Sequence, residues 1–216
     1  MRVLVTAGPT REFIDDVRYI SSPSSGRMGF AVAEAFAGAG HAVDLIAGPT
    51  HLEAPQGVRC IRVTSAQDMH RAVMERLEEA EIVVMTAAVS DYRVRERVSG
   101  KKKRTGGKWV LELVENPDIL NEIGCRKGDR ILVGFAVESD SPRRGALEKL
   151  RKKNLDFIVL NSPSAFGADV TSVDIIDRRK RTTHLRKLTK REIAGHILRM
   201  VEELKRAVRR DDRGGG

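Results

Sequence analysis

Short apolar runs alternate with amphipathic stretches along the N-terminal part of the chain. RVLVT (2–6), ended by AGPT, predicts a buried strand. Residues 25–38 follow helical spacing, with Met28, Ala31, Val32, Ala35 and Phe36 on one side, and Gly40 and His41 close the helix. VDLIAGPT (43–50) predicts a second strand with its turn, and CIRV (60–63) a third. AQDMHRAVMERLEEA (66–80) predicts an amphipathic helix, and IVVMTAA (82–88) a strand buried on both faces. The order β-α-β-β-α-β predicts a parallel sheet covered by helices.

The pattern changes at Asp91. DYRVRERVSGKKKRTGGKWVLELV (91–114) is charged, alternates polar and apolar residues on its flanks and turns at Gly106 and Gly107. It predicts an antiparallel excursion with a mobile basic tip. NPDILNEI (116–123) predicts a helix with Pro117 in its first turn. ILVGFAVES (131–139) predicts a buried strand, SPRRGALEKLRKKN (141–154) a helix and LDFIVLNSP (155–163) another strand. VDIID (173–177) and THLRKL (183–188) predict a hairpin around RRKR. KREIAGHILRMVEELKRAVRR (190–210) predicts a final helix, followed by a disordered tail at 211–216. With no repeat and no interior linker, residues 1–216 read as one domain. The expected fold is α/β: a Rossmann-like, mostly parallel sheet with helices on both faces and an antiparallel basic excursion.

In such sheets ligands gather beyond the carboxyl ends of the strands. That places the expected function in AGPTRE (7–12), AAVSDY (87–92), VGFAVES (133–139) and LNSP (160–163). YISSPSSGRMGF (19–30) follows the first of these and gathers serines, a proline and a glycine before a helix. This pattern suits an ordinary capped helix start, and equally a set of N–H and O–H donors gathered for one anion. Lys149 and Lys153 are spaced i,i+4 on a helix, as a solvated flank or as point charges for phosphates. Asp91 directly follows a buried strand, as a turn residue or as a holder of Mg²⁺ or a polar ligand group.

The net charge of +9 favours anionic partners, nucleic acid and polyphosphate substrates alike, and much of the excess sits at 101–104, 178–181 and 205–210. An aromatic content of only 4% leaves few stacking platforms, which argues against a basic nucleic-acid-binding module. Cys60 and Cys125 form no CxxC and the histidines show no ligand spacing, so neither a disulfide framework nor a metal cage is expected. The N-terminal MRVLVTAGP lacks a signal-peptide pattern, and no apolar run approaches the roughly 20 residues of a membrane span. A cytoplasmic protein with no membrane partner is expected. A Rossmann-like oxidoreductase would carry GxGxxG after its first strand, where this chain has TAGPTREFIDD with one glycine. The Tyr–Lys pair of short-chain dehydrogenases is missing too, since Pro23 and Glu96 stand four residues after Tyr19 and Tyr92. A P-loop and a GxSxG nucleophile elbow are also absent.

Six motifs in order give a joint signal. VTAGPTREFIDDVRYISSPSSGRMGF, AAVSDYR (87–93), KKKR (101–104), ENPDIL (115–120), VGFAVES (133–139) and EKLRKKNLDFIVLN (148–161) resemble the phosphopantothenoylcysteine synthetase family, also called phosphopantothenate–cysteine ligase. The resemblance spans roughly residues 2–190. It implies a ligase of coenzyme A biosynthesis, joining 4′-phosphopantothenate to L-cysteine. A nucleoside triphosphate activates the carboxylate as an acyl nucleotidate, pyrophosphate leaves, and the cysteine amine then displaces the nucleoside monophosphate. Bacterial members mostly use CTP with Mg²⁺ and eukaryotic ones ATP, and both nucleotides stay open here. No side-chain nucleophile is needed, so catalysis rests on positioning and charge stabilisation.

Position by position, the resemblance implies that Ala87, Asp91, Asn116, Pro117, Asp118, Ile119, Phe135, Lys149 and Lys153 bind the nucleotide. Asp91, from its place after the strand, is also the candidate metal ligand. Lys101 would reach the reacting phosphates and acyl group from a flexible flap, with neighbouring subunits of a homodimer building the site jointly. Ser24, Ser25 and Gly26 would be the donor cluster for the acyl phosphate. Ser22 stands where the family usually has an asparagine thought to orient the acyl nucleotidate. Its shorter hydroxyl puts the second half-reaction in question. Many bacterial members are fused to a flavin-dependent decarboxylase, and this chain has no room for one. It is expected to be a stand-alone synthetase or an excised domain, with a separate decarboxylase as partner.

Overall fold

The computed structural model describes residues 1–137, 142–161 and 170–214. Its strands are β1 (Arg2–Ala7), β2 (Arg11–Phe13), β3 (Tyr19–Ser21), β4 (Ala42–Ala47), β5 (Val58–Arg62), β6 (Ile82–Met85), β7 (Tyr92–Val94), β8 (Leu113–Glu115), β9 (Ile131–Val137), β10 (Phe157–Asn161), β11 (Val170–Asp177) and β12 (Thr182–Thr189). The helices are α1 (Arg27–Gly38), α2 (Ala66–Leu77), α3 (Ile119–Cys125), α4 (Pro142–Lys152) and α5 (Lys190–Gly214).

One eight-stranded sheet runs in the order β12-β11-β10-β9-β6-β1-β4-β5. From β10 to β5 every neighbouring pair is parallel, and β11 and β12 add an antiparallel edge. The parallel strands follow the doubly wound order, with the chain reversing direction at β1. They are near-continuous apolar runs because helices cover both faces. Val3, Val5, Val133, Val159 and Ile175 face α1 and α5. Leu4, Val83, Leu132 and Ile158 face α2, α3 and α4. The expected α/β architecture is therefore the observed one.

Four differences have local causes. The β2–β3 hairpin was not expected; its strands have three residues each and too little pattern to read. Pro117 lies before α3 rather than in it, because Asp118 is the N-cap and its carboxylate accepts from the Asn121 N–H at 3.1 Å. The excursion pairs only at its root, β7 with β8. Helix α5 continues past residue 210, where it was expected to end, to Gly214. Residues 138–139 of VGFAVES, 162–163 of LNSP and 141 of the α4 segment lie outside the described residues, as do 215–216 of the expected tail.

Candidate active site

A cleft of about 810 Å³ opens over the carboxyl ends of β6, β9 and β10. It does not lie over β1, although AGPTRE was an expected functional segment. Residues 8–10 are buried, and they run beside the segment after β6 through a Pro9–Ala88 bridge. The Ala88 N–H donates to the Gly8 carbonyl at 2.9 Å, and the Ser90 N–H to Thr10 Oγ1 at 3.0 Å. This pairing extends the sheet across the reversal point and moves the open crevice to the neighbouring strands.

One wall is the N-terminus of α1. The helix starts at Arg27, later than the expected Ser25, with Gly26 as N-cap at φ 78° and no side chain capping it. The serines bond among themselves instead. The Ser24 N–H donates to the Ser22 carbonyl at 2.8 Å, and Ser24 Oγ accepts from the Gly26 N–H at 3.4 Å. A helix start without a side-chain cap points the positive end of the helix dipole at the cleft. Ser22, Ser24, Ser25 and Gly26 all line the cleft, as do Arg27, Met28 and Gly29.

Gly29 sets how closely this wall approaches the sheet. A Cβ there would stand 2.5 Å from Ala7 Cβ and 2.5 Å from Thr86 Oγ1. Gly8, Gly26 and Gly29 therefore do what a dinucleotide fingerprint does: a turn after β1, an open helix start, and close helix–strand packing. The β2–β3 hairpin is inserted between the first two. The fingerprint is absent from the linear sequence because its parts are separated.

The opposite wall comes from the loop before α3 and the end of α4. The Asn116 N–H donates to the Asp91 carbonyl at 2.7 Å, and its side-chain amide to the Ser90 carbonyl at 2.9 Å. The loop is thus fixed to the segment after β6 before any ligand arrives. Lys153 stands one residue beyond α4, but its N–H bonds the Lys149 carbonyl at 3.0 Å, so the two lysines keep a common face. Lys153 Nζ is 2.8 Å from Asp118 Oδ2. Desolvation works against the Asp118 carboxylate. The Lys153 ammonium and the Asn121 N–H outweigh it and hold the pKa below the usual carboxylate range. At Gly124 a Cβ would stand 2.3 Å from the Lys153 carbonyl oxygen, so α3 docks on the end of α4 through that glycine.

The cleft thus brings together Ser22, Ser24, Ser25, Gly26, Ala87, Asp91, Asn116, Pro117, Asp118, Ile119, Phe135, Lys149 and Lys153 of the expected set. It does not include Lys101. That residue is exposed on the excursion, whose root lies along the β2–β3 hairpin. Asp15, fully buried, accepts from the N–H groups of Val17 at 2.8 Å, Arg18 at 2.7 Å and Lys102 at 3.2 Å. Against the desolvation of burial, these donors hold its pKa below the ordinary value. Asp15 was not singled out from sequence, where it reads as one acid in a charged turn.

Asn161 and Thr171 also line the cleft; Asn161 lies in LNSP, a segment expected to hold function, but neither residue was given a role of its own. An asparagine at a strand end reads as a turn residue. The signal available was its place in FIVLN, in phase with Phe157 and Val159 and so on the α1/α5 face.

Among the described residues no group of three or more His, Cys, Asp or Glu side chains is placed to hold a metal ion. Asp91, exposed at the cleft mouth, suits an ion that arrives on a triphosphate, which needs only one or two protein carboxylates. No helix among the described residues is long and apolar enough to cross a membrane.

Comparison with known proteins bears on the family and the fold. Residues 1–204 match the family model of the DNA/pantothenate metabolism flavoprotein C-terminal domain. The chain is 46% identical over 179 residues to the coenzyme A biosynthesis bifunctional protein CoaBC of Haemophilus influenzae, covering 81% of this chain and 45% of that protein. The chain spans about half the length of the curated relatives it matches. The solved C-terminal domain of a CoaBC protein superposes with a TM-score of 0.84 at 38% identity, covering 95% of this chain and 96% of that one. The mutant H337A of Cab2, solved with phosphopantothenate-cysteine, shares the fold at TM-score 0.79 and 15% identity, covering 96% of this chain and 88% of that one. The chain belongs to the family of DNA/pantothenate metabolism flavoprotein C-terminal domains.

Proposed function

We propose that the cleft joins 4′-phosphopantothenate to L-cysteine, using a nucleoside triphosphate, to give 4′-phosphopantothenoylcysteine for coenzyme A biosynthesis. The observation that carries the reading is one cleft with an uncapped helix start on one wall and Lys149 and Lys153 on the other. Two anions can be gathered there. In the first step a carboxylate oxygen attacks the α-phosphorus and pyrophosphate leaves. In the second the amine attacks the acyl carbon and the nucleoside monophosphate leaves. Lys149 and Lys153 attract the phosphates, 116–119 and Phe135 hold base and ribose, and the N–H groups at the start of α1 receive the acyl phosphate. Ser22 reaches the acyl nucleotidate with one hydroxyl. Mg²⁺ bound to the triphosphate, with Asp91 as its protein ligand, supplies neutralising charge.

CTP is the nucleotide of this reading, following the family's bacterial members, with ATP as the competitor. Lys101 is delivered to the cleft of a second copy in a homodimer. Support comes from its place outside its own cleft and from exposed apolar side chains on the same excursion: Tyr92 at 50%, Val110 at 84% and Leu113 at 45%. The enzyme is cytoplasmic, and a flavin-dependent decarboxylase is the partner that consumes its product.

The test is pyrophosphate release. It should require nucleotide and phosphopantothenate together, with Mg²⁺ present, and product should further require cysteine. No release with any nucleotide overturns the reading. Lys101→Ala and Lys153→Ala should each be nearly inactive, and mixing them should restore part of the activity by assembling one intact site. Failure of the mixture, with dimers present, rejects the shared site.

A further inference from the structure

Asp15 and Asp16 sit in the turn between β2 and β3, and both reach across to the basic excursion. The Asp15 side chain is shut off from solvent. One oxygen, Oδ1, closes the turn by accepting from the N–H groups of Val17 and Arg18. The other, Oδ2, accepts from the Lys102 N–H at 3.2 Å and meets Arg18 Nη1 at 3.0 Å. Arg18 Nη2 in turn donates to the Lys102 carbonyl at 3.3 Å. Asp15 and Arg18 thus grip the peptide groups on both sides of the Lys102 Cα. On the other flank Gly100, at φ 71°, donates its N–H to Asp16 Oδ2 at 2.9 Å, and its carbonyl accepts from the Asp16 N–H at 3.3 Å. Lys101 stands between these two gripped residues. It is exposed, and its side chain makes no hydrogen bond or ion pair among the described residues. The turn alone requires one side-chain oxygen, which an asparagine supplies equally well. A buried carboxylate is costly unless it is paired. The second oxygen of Asp15, and its charge, serve the excursion.

We propose that Asp15 is the positioning residue for Lys101: it fixes the peptide group that leaves the lysine, so that the ammonium projects from a held main chain. The inference rests on the ligase reading above, in which Lys101 meets the reacting phosphates. A lysine is a point charge on a flexible four-carbon stem. Stabilising charge in a transition state depends on donors that are in place beforehand. With both neighbours of Lys101 gripped, the freedom left to the ammonium is that of its own side-chain torsions. Asp15 does not line the cleft of its own copy and touches none of the reacting atoms. It acts on the main chain of Lys102, and so belongs with Lys101 rather than with Lys149 and Lys153.

The test uses the full chain with CTP, Mg²⁺, phosphopantothenate and cysteine. Asp15→Asn keeps an oxygen for Val17 and Arg18 but turns an N–H group towards the Lys102 N–H. It should lower kcat about a hundredfold, the effect of displacing a reacting group by about 1 Å, and leave the KM for cysteine unchanged. Full activity in a folded Asp15→Asn overturns the proposal. Added to Lys101→Ala, Asp15→Asn should cause no further loss, because it acts through the lysine; losses that multiply mark a merely structural role and overturn the proposal. In mixed dimers Asp15→Asn should complement Lys153→Ala and not Lys101→Ala, and the opposite grouping overturns the proposal. Should Asp15→Asn not fold, Lys102→Pro removes the same donor without touching the turn. It should lower kcat as Asp15→Asn would, whereas Lys102→Ala should not, and full activity in Lys102→Pro overturns the proposal. Amide hydrogen exchange read by NMR tests the hold without turnover. In Asp15→Asn the Lys102 amide should exchange faster than in the parent chain, with the Val17 and Arg18 amides unchanged. Equal protection of Lys102 in both chains overturns the proposal. Absence of pyrophosphate release in the parent chain would overturn the ligase reading instead, and the exchange difference at Lys102 would then still support Asp15 as the residue that holds the arm.

Discussion

The two ends of β9 and β10 carry polar groups to opposite purpose. Beside their amino ends, Lys127 and Asp156 form a buried pair at 2.7 Å, with side chains 7% and 10% exposed. Asp156 also accepts from the Leu132 N–H at 2.7 Å and meets Arg178 at 3.3 Å. Burial pushes the Lys127 ammonium below the ordinary lysine range, even though Asp156 pulls it back up. At the carboxyl ends, among the described residues, Asn161 Oδ1 finds no donor and no side chain caps the start of α1. Polar groups that satisfy one another inside the protein hold strands in place, and groups left open at a cleft are kept for a ligand. The contrast separates scaffold from site without reference to sequence motifs.

Four experiments break or sharpen that contrast. Asp156→Ala strands Lys127 in the interior and should cost about 3–5 kcal/mol in denaturant unfolding, with activity per folded molecule retained. Equal losses from Asn161→Ala would erase the distinction between the two ends. Gly29→Ala forces α1 off the sheet and should cost about 1–3 kcal/mol by overpacking, with weakened nucleotide and substrate binding. Lys153→Met removes the proposed phosphate partner and should weaken nucleotide binding about tenfold, or ~1.4 kcal/mol, by calorimetry, with little change in unfolding. Acid titration should show the smallest effect. Asp118, Asp68 and Asp174 all have folded pKa values below the ordinary aspartate value. Their contribution is present above about pH 4, the unfolded value, and is lost as pH falls through the lower folded values. Denaturant midpoints should therefore hold steady from neutral pH to about pH 4 and fall below it.

The layers of the fold were legible because parallel strands buried on both faces read as short apolar runs, as in IVVMTAA and FIVLN. The helix faces were legible from their spacing. Most residues of the cleft were reached through the resemblance rather than through periodicity. The position of the cleft was misjudged at AGPTRE, because nothing local shows that residues 8–10 continue the sheet beside the segment after β6. Gly29 was quoted in a motif but not given its packing role, which exists only once α1 meets Ala7 and Thr86. Asn161 lay in the expected segment LNSP, but nothing local distinguished it from its neighbours there.

The root of the basic excursion is held by its main chain. Val98 donates to the Ile14 carbonyl at 2.9 Å, Gly100 to Asp16 Oδ2 at 2.9 Å and Lys102 to Asp15 Oδ2 at 3.2 Å, each through its N–H. Anchorage of this kind does not depend on which side chains follow it. A cysteine for a fluorescent or spin reporter could replace Lys103 or Lys108 without disturbing the tether. The movement proposed for this arm, into the cleft of a second copy, could then be tested directly, turnover by turnover.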